Sequence, residues 1–207
     1  MTTEVYLVRH GQTYGNIDQL FCGHSETELT PLGIAQARAA GQRLASVHFD
    51  AAYASDLSRT AKTADYALEG RPDVSRTLDP GLREMHYGEW EARPASEIRA
   101  AAPDLLREFF LCRGNGAPGG ESVTQVRERT AAAVRRAAEG HPDGSILVVS
   151  HGNAIMAMIA ELLRLPIEGT WSFAVDNTSI TRLRFSKSGR PTLVSFNDAA
   201  HIHGLTV

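Results

Sequence analysis

The chain has 207 residues, 43% of them apolar and 22% charged, with a formal net charge of -3. These values fit a globular chain able to bury a full core and argue against non-specific nucleic-acid binding. No apolar run approaches the ~20 residues of a membrane span. Met1–Glu4 lacks a signal-peptide pattern, and Cys22 and Cys112 form neither a disulfide framework nor a metal spacing, so a cytoplasmic setting is expected.

In chain order, Val5–Val8 is apolar throughout and predicts a central strand with no wet face. Thr30-Pro31 is an N-cap followed by proline at the first helical position, predicting a helix to about Ala45. A short strand is expected over Ala51–Ala54. Leu57, Ala61, Ala64 and Leu68 recur at helical spacing, so a second helix should begin near Ser55 or Asp56. Val74–Leu78 reads as a further strand. The stretch 92–120 interrupts the βα alternation with helical pieces around Ala95–Ala101 and Asp104–Leu111, broken by Pro103 and closed by a glycine-rich run. It reads as a cap inserted into a single domain spanning 1–207, or alternatively as a plain surface excursion.

Ser122-Val123-Thr124-Gln125 is a capping-box pattern. Val123, Val126, Thr130, Ala133, Val134 and Ala137 mark the buried face of the helix it opens. Ile146–Val149 predicts a second central strand, and Ile155–Leu163 is apolar nearly all round, as a helix sandwiched in the core would be. Ser179–Phe185 and Thr192–Phe196 complete the pattern as closing strands joined by a turn at Lys187–Arg190. Alternation of this kind implies an α/β fold: a three-layer α/β/α sandwich with a mostly parallel central sheet.

His10-Gly11 and His151-Gly152 each follow one of the two central strands. Two histidines at the carboxyl ends of parallel strands can face one site, where open α/β sheets bind ligands. A neutral imidazole can attack phosphorus through one ring nitrogen if the other is fixed by an acceptor. Arg9, beside His10, matches phosphoryl oxygens bidentately with a charge that does not titrate away. Arg59 falls in the first turn of its helix, where a cation opposes the macrodipole unless an anion binds there; the alternative is an exposed arginine paired with Asp56. Glu84 beside a phosphate would have a raised pKa and could protonate a leaving alcohol, and a protonated His151 could stabilise transition-state charge.

These residues, with their surroundings, resemble the histidine phosphatase superfamily. The resemblance runs from Leu7–Thr13 and Asn16 through Glu28–Gly33, Ala54–Thr60, Leu82–Glu84, Tyr87–Glu91, Gly119–Ser122 and Val149–Gly152 to Asp176–Ser179 and Asn197–His201. It implies phosphorylation of His10, a phosphoryl group held by Arg9, Arg59 and His151, Glu84 as acid/base, and no metal or other cofactor. Asn16, Cys22, Gly23, Tyr87 and Gly152 are the substrate-binding candidates. Within the family, Phe21–Gly23 and Glu84–Gly88 look like phosphoglycerate mutase segments. Arg107 and Arg113 do not form the adjacent arginine pair that mutases carry, and Gly88–Glu91 and Pro118–Ser122 look like the phosphatase branch. Tyr87 stands where phosphoserine phosphatases of this type carry a histidine.

The reading reached is a metal-independent phosphomonoesterase acting on a small phosphorylated metabolite through a phosphohistidine. The alternatives are a cofactor-dependent phosphoglycerate mutase, a catalytically idle phospholigand-binding module, and a metal hydrolase using His10, His86, His151, His201 or His203. The partner expected is a small phosphorylated substrate, with no nucleic acid and no membrane; a homodimer is left open.

Overall fold

The computed structural model describes residues 2–114 and 116–205. Its strands are β1 (Thr2–Arg9), β2 (Ala51–Ala54), β3 (Arg76–Leu78), β4 (Ser145–Ser150), β5 (Ile180–Ser186) and β6 (Pro191–Asp198). They form one sheet in the order β3-β2-β4-β1-β5-β6. The pairings β3·β2, β2·β4 and β4·β1 are parallel, while β5 and β6 close the sheet antiparallel. β3 is shorter than the expected Val74–Leu78, and all three of its residues are exposed, as an edge strand allows.

The helices are α1 (Tyr14–Ile17), α2 (Pro31–Arg43), α3 (Ser58–Ala67), α4 (Ala95–Ala101), α5 (Pro103–Phe110), α6 (Val123–Glu139) and α7 (Gly152–Leu162). Side chains alternate across a strand, and β4 shows the consequence. Ile146 and Val148 join the core under α6 and α7, while Leu147 and Val149 join the core of the opposite face with Leu44 and Ala64. Two central strands that are apolar on both sides therefore carry helices on both faces.

The caps at Thr30 and Ser122 are as read: the Thr30 hydroxyl accepts from Gly33 N at 3.0 Å, and Ser122 and Gln125 form a reciprocal capping box. α3, however, starts at Ser58 rather than near Ser55 or Asp56, because both residues are engaged elsewhere. Ser55 N extends the strand pairing to Val149 O at 3.1 Å, and the Asp56 carboxylate takes Arg83 at 2.5 Å. Ser58 N donates instead to the Glu26 carboxylate, which supplies the anion at that helix start. Arg127 lies within the buried face of α6, contrary to the apolar pattern. It donates to Ala160 O and Leu165 O and so satisfies carbonyls at the end of α7.

Residues 85–123 carry a second, smaller core. Met85, Trp90, Ile98, Leu106 and Phe109 pack together and meet the main body through Val126 of α6 and Ala157 of α7. At the other side of the site, the loop after β1 lies directly on the start of α2. A methyl on Gly11 would come 2.3 Å from Gly33 O, and one on Gly33 would come 2.0 Å from Gln12 O. The two backbones touch where neither position admits a side chain.

Leu7, at 0% exposure in β1, and Leu78, at 46% in the edge strand, provide a matched test. Leu7→Ala is expected to cost about 2–5 kcal/mol in urea unfolding, and Leu78→Ala less than about 0.5 kcal/mol. Equal losses would contradict the assigned core.

Candidate active site

The parallel register of β1 and β4 places Arg9 opposite Ser150, so the two following histidines emerge side by side. His10 N donates to Ser150 O at 3.0 Å, and the imidazole centroids are 5.2 Å apart. Ser150 also fixes the third participant: its hydroxyl donates to Leu82 O at 2.8 Å, tethering the segment that carries Glu84.

His10 is 5% exposed and its Nδ1 lies 2.8 Å from Gly11 O. A carbonyl only accepts, so Nδ1 carries the proton and Nε2 keeps its lone pair. Burial, and then the Arg59 and Arg9 charges, push the His10 pKa well below 6.5. The imidazole is therefore neutral, as a nitrogen nucleophile must be.

The two arginines differ in what they have left to give. Arg9 donates from Nη1 to Val175 O at 2.6 Å, while its buried Nε has no hydrogen-bond partner. A buried guanidinium nitrogen without an acceptor is costly, and a phosphoryl oxygen is an acceptor its fork suits. Gly152 matters here, because a methyl on it would sit 3.4 Å from that Nε and cover it. Arg59, by contrast, is 1% exposed and already committed. Its Nε donates to His151 Nδ1 (3.1 Å), Nη1 to Ser25 O (2.9 Å), and Nη2 to Cys22 O (3.1 Å) and Gly23 O (2.7 Å). It is not the exposed partner of Asp56 that its sequence position allows.

His151 corrects an expectation. Its Nδ1 accepts from Arg59, so Nε2 bears the proton and donates to Ser55 Oγ at 2.9 Å. Burial and the neighbouring charges of Arg59, His10 and Arg9 hold its pKa well below 6.5. In this structure it is a neutral, fully buried group behind the cavity wall, not the imidazolium anticipated.

Glu84 lies at the start of α7. Oε1 accepts from Met85 N (2.9 Å) and Ala154 N (2.8 Å), and Oε2 from Asn153 N (3.1 Å). Burial raises its pKa above 4.5 despite these hydrogen bonds and the two arginines. The result is a carboxyl group that holds a proton at higher pH than an ordinary glutamate.

Arg9, His10, Arg59 and Glu84 line one cavity of about 280 Å³ together with Asn16, Cys22, Tyr87 and Gly152. Gly23 does not line it; its carbonyl and N–H are held by Arg59 and Glu91. Burial raises the Cys22 thiol, which leaves it a neutral wall group rather than a reactive thiolate. Among the described residues, no group of three His, Cys, Asp or Glu side chains is placed to hold a metal ion.

Four participants, Asn153, Phe21, Phe110 and Glu91, were not among the site residues expected from sequence. Asn153 lines the cavity and donates from Nδ2 to the Tyr87 hydroxyl at 2.7 Å. Phe21 and Phe110 also line it. Glu91, noted only as part of a motif, accepts from the N–H groups of Gly23, His24, Ser25 and Tyr87. The loop 22–25 is thus gripped from two sides: Glu91 takes its N–H groups and Arg59 its carbonyls.

The chain belongs to the histidine phosphatase superfamily (branch 1), whose model matches residues 5–199. It is 33% identical over 173 residues to the adenosylcobalamin/alpha-ribazole phosphatase of Salmonella typhimurium, covering 83% of this chain and 85% of that one. It is 32% identical over 206 residues to a probable phosphoglycerate mutase GpmB of Yersinia pestis, covering 96% and 94%. Among solved structures, Bacillus stearothermophilus YhfR superposes with a TM-score of 0.92 at 30% identity, covering 97% of this chain and 100% of that one.

Glu91→Gln turns an amide towards backbone donors that need acceptors. Loss of roughly 2 kcal/mol or more of stability is expected, with kcat/KM reduced at least about tenfold. Burial would raise the Glu91 pKa, but the hydrogen bonds from Ser25, Tyr87 and His24 bring it below 4.5. Its contribution is therefore complete above the unfolded-state value and is lost as pH falls through the lowered folded one. Acid titration of stability should be shallower in the variant; an unchanged profile would remove Glu91 from this role.

Proposed function

We infer that the chain is a phosphomonoesterase working through a phosphohistidine on His10, without a metal. The observation that carries this is the arrangement of one cavity: a His10 whose Nδ1 is fixed by Gly11 O and whose Nε2 is free, with its pKa pushed down, beside a Glu84 whose pKa is pushed up by burial. The phosphatase named among its relatives supports it.

The steps follow from the geometry. The phosphoryl oxygens take the open donors of Arg9. His10 Nε2 bonds to phosphorus as the P–O ester bond breaks, and Glu84 gives its proton to the departing oxygen. Glu84, now a carboxylate, takes a proton from water, whose oxygen attacks phosphorus and breaks the P–Nε2 bond. Phosphate leaves and Glu84 is protonated again. Arg59 holds the wall of this site and adds its charge, while the neutral His151 orients Arg59.

We read 1–207 as one unit whose 92–120 segment caps the site, because α5 supplies Phe110 to the cavity. The two free cysteines suit a cytoplasmic setting, and no helix among the described residues is long and apolar enough to cross a membrane.

The test follows phosphate release from a panel of phosphomonoesters in the presence of chelator. The expected result is turnover that falls by more than about 10³-fold in His10→Ala, with a trapped phosphohistidine at position 10 in the wild type. Phosphoryl transfer between phosphoglycerates without release would instead establish the mutase, and binding without turnover the idle module. Sensitivity to chelator would sink the metal-free mechanism.

The pH profile is a second test. The productive form has Glu84 protonated and His10 neutral. kcat/KM should therefore fall as pH rises through the raised Glu84 pKa, and on the acid side only well below 6.5, where His10 becomes protonated. Glu84→Gln should lower kcat by about 10²–10⁴-fold for alkyl esters, much less for an aryl ester with a good leaving group, and should abolish the alkaline limb.

A further inference from the structure

The cavity has two chemically distinct parts. Its floor is the phosphoryl machinery. Leu20, Phe21, Phe110, Met156 and Val175 also line the cavity, as do the neutral amides of Asn16 and Asn153. Among the described residues the cations lining it are Arg9 and Arg59, and both belong to the phosphoryl end. Four of the five Arg59 N–H groups are already given to His151, Ser25, Cys22 and Gly23. None of the four arginines of the capping segment lines the cavity: Arg93 is paired with Glu97, Arg107 lies 3.5 Å from Asp104 and 3.8 Å from Glu108, and Arg99 and Arg113 are exposed.

A carboxylate on the substrate, beyond the phosphate, would thus meet Glu84 and, among the described residues that line the cavity, no cation other than the two at the phosphoryl end. An unpaired charge in that setting is strongly disfavoured. The apolar wall is also built to stay in place. Phe21 packs edge-on against Tyr87 at 5.1 Å and lies 5.4 Å from Trp90, and all three meet Phe109. Phe110 is 53% exposed at the cavity mouth, yet its ring is edge-on to that of Phe109, which is itself 1% exposed. An aromatic ring held half in water at the mouth of a site is a contact surface for the part of a substrate that projects outward.

We propose that this enzyme's substrates are phosphate esters of uncharged alcohols bearing an apolar or aromatic face, and that it discriminates against esters whose leaving group carries a carboxylate. The assignment rests on the phosphomonoesterase reading above and refines it. It separates this chain from a phosphoglycerate mutase by the charge of the group beyond the phosphorus rather than by the chemistry at phosphorus. Asn16 and Asn153 offer the neutral hydrogen bonds that a hydroxylated leaving group would use.

The test compares three esters of primary alcohols, so that leaving-group chemistry is matched: 2-phenylethyl phosphate, 3-phosphoglycerate and phosphoserine. The expected kcat/KM for the phenylethyl ester exceeds the other two by about 100-fold or more, the scale on which a pocket lacking a partner for a polar group rejects it. Phe110→Ala should lower that value about tenfold and narrow the ratio. Phe110→Arg, at an exposed position, should shift the ratio further towards the acidic esters. Acidic esters turned over as well as the phenylethyl ester, or better, would overturn the inference while leaving the phosphatase reading standing. If none of the three is hydrolysed, the phosphatase reading fails, and calorimetry on His10→Ala still decides the inference. Tighter binding of 2-phenylethyl phosphate than of 3-phosphoglycerate supports it; equal or reversed affinity refutes it.

Discussion

The buried guanidinium of Arg59 is the constraint on which the site depends. It reaches from the second residue of α3 to His151 at the end of β4 and to three carbonyls of the loop 22–25. Each of these acceptors has an orientation that would otherwise be free. His151 is fixed as one tautomer, which in turn engages Ser55 at the end of β2. The loop that bears Cys22 has its carbonyls turned inward and its N–H groups turned towards Glu91. A charge so deeply placed is tolerable only because nearly every proton on it has an acceptor. Arg59 thereby takes the burden of rigidity, and Arg9 is left with donors for an anion.

Glu84 and Glu91 show how position rather than residue type sets chemistry. Each accepts backbone N–H donors, and burial pushes each upward. In Glu84, which shares the cavity floor with His10, burial outweighs three amides and two arginines, and the carboxyl stays protonated more readily than usual. In Glu91 the Ser25 hydroxyl and four backbone amides outweigh a smaller burial, and the group stays ionised. One is consequently suited to moving a proton and the other to holding a loop.

Much of this was legible in the sequence where the signal is local. The apolar runs of β1 and β4, the Thr30-Pro31 start of α2 and the capping box before α6 are carried by adjacent residues, and the parallel settings of His10 and His151 follow from the two strands they end. The start of α3 was misplaced because Ser55 and Asp56 are good caps whose side chains answer to His151 and Arg83, residues distant in the chain. Arg127 broke the apolar pattern of α6 for the same reason, its acceptors lying beyond residue 159. The role of Glu91, the apolar wall at Phe21 and Phe110, and the protonation of His151 are properties of assembly: each depends on which segments meet, and no spacing within one segment records that. The recognition set was readable because its members lie at strand ends and helix starts; the supporting shell was not, because it comes from loops.

The contact between Gly11 and Gly33 has a consequence for how this chain can change over generations. Most packing faults in a protein can be rescued by a second mutation that trims or refills the neighbour. Here each methyl would collide with backbone, Gly33 O in one case and Gln12 O in the other, and backbone has nothing to trim. A lesion at either glycine should have no intragenic suppressor at the other, so the loop that follows His10 is held fixed, while the position of Phe110, whose ring is 53% exposed and edge-on to the Phe109 side chain, remains open to drift.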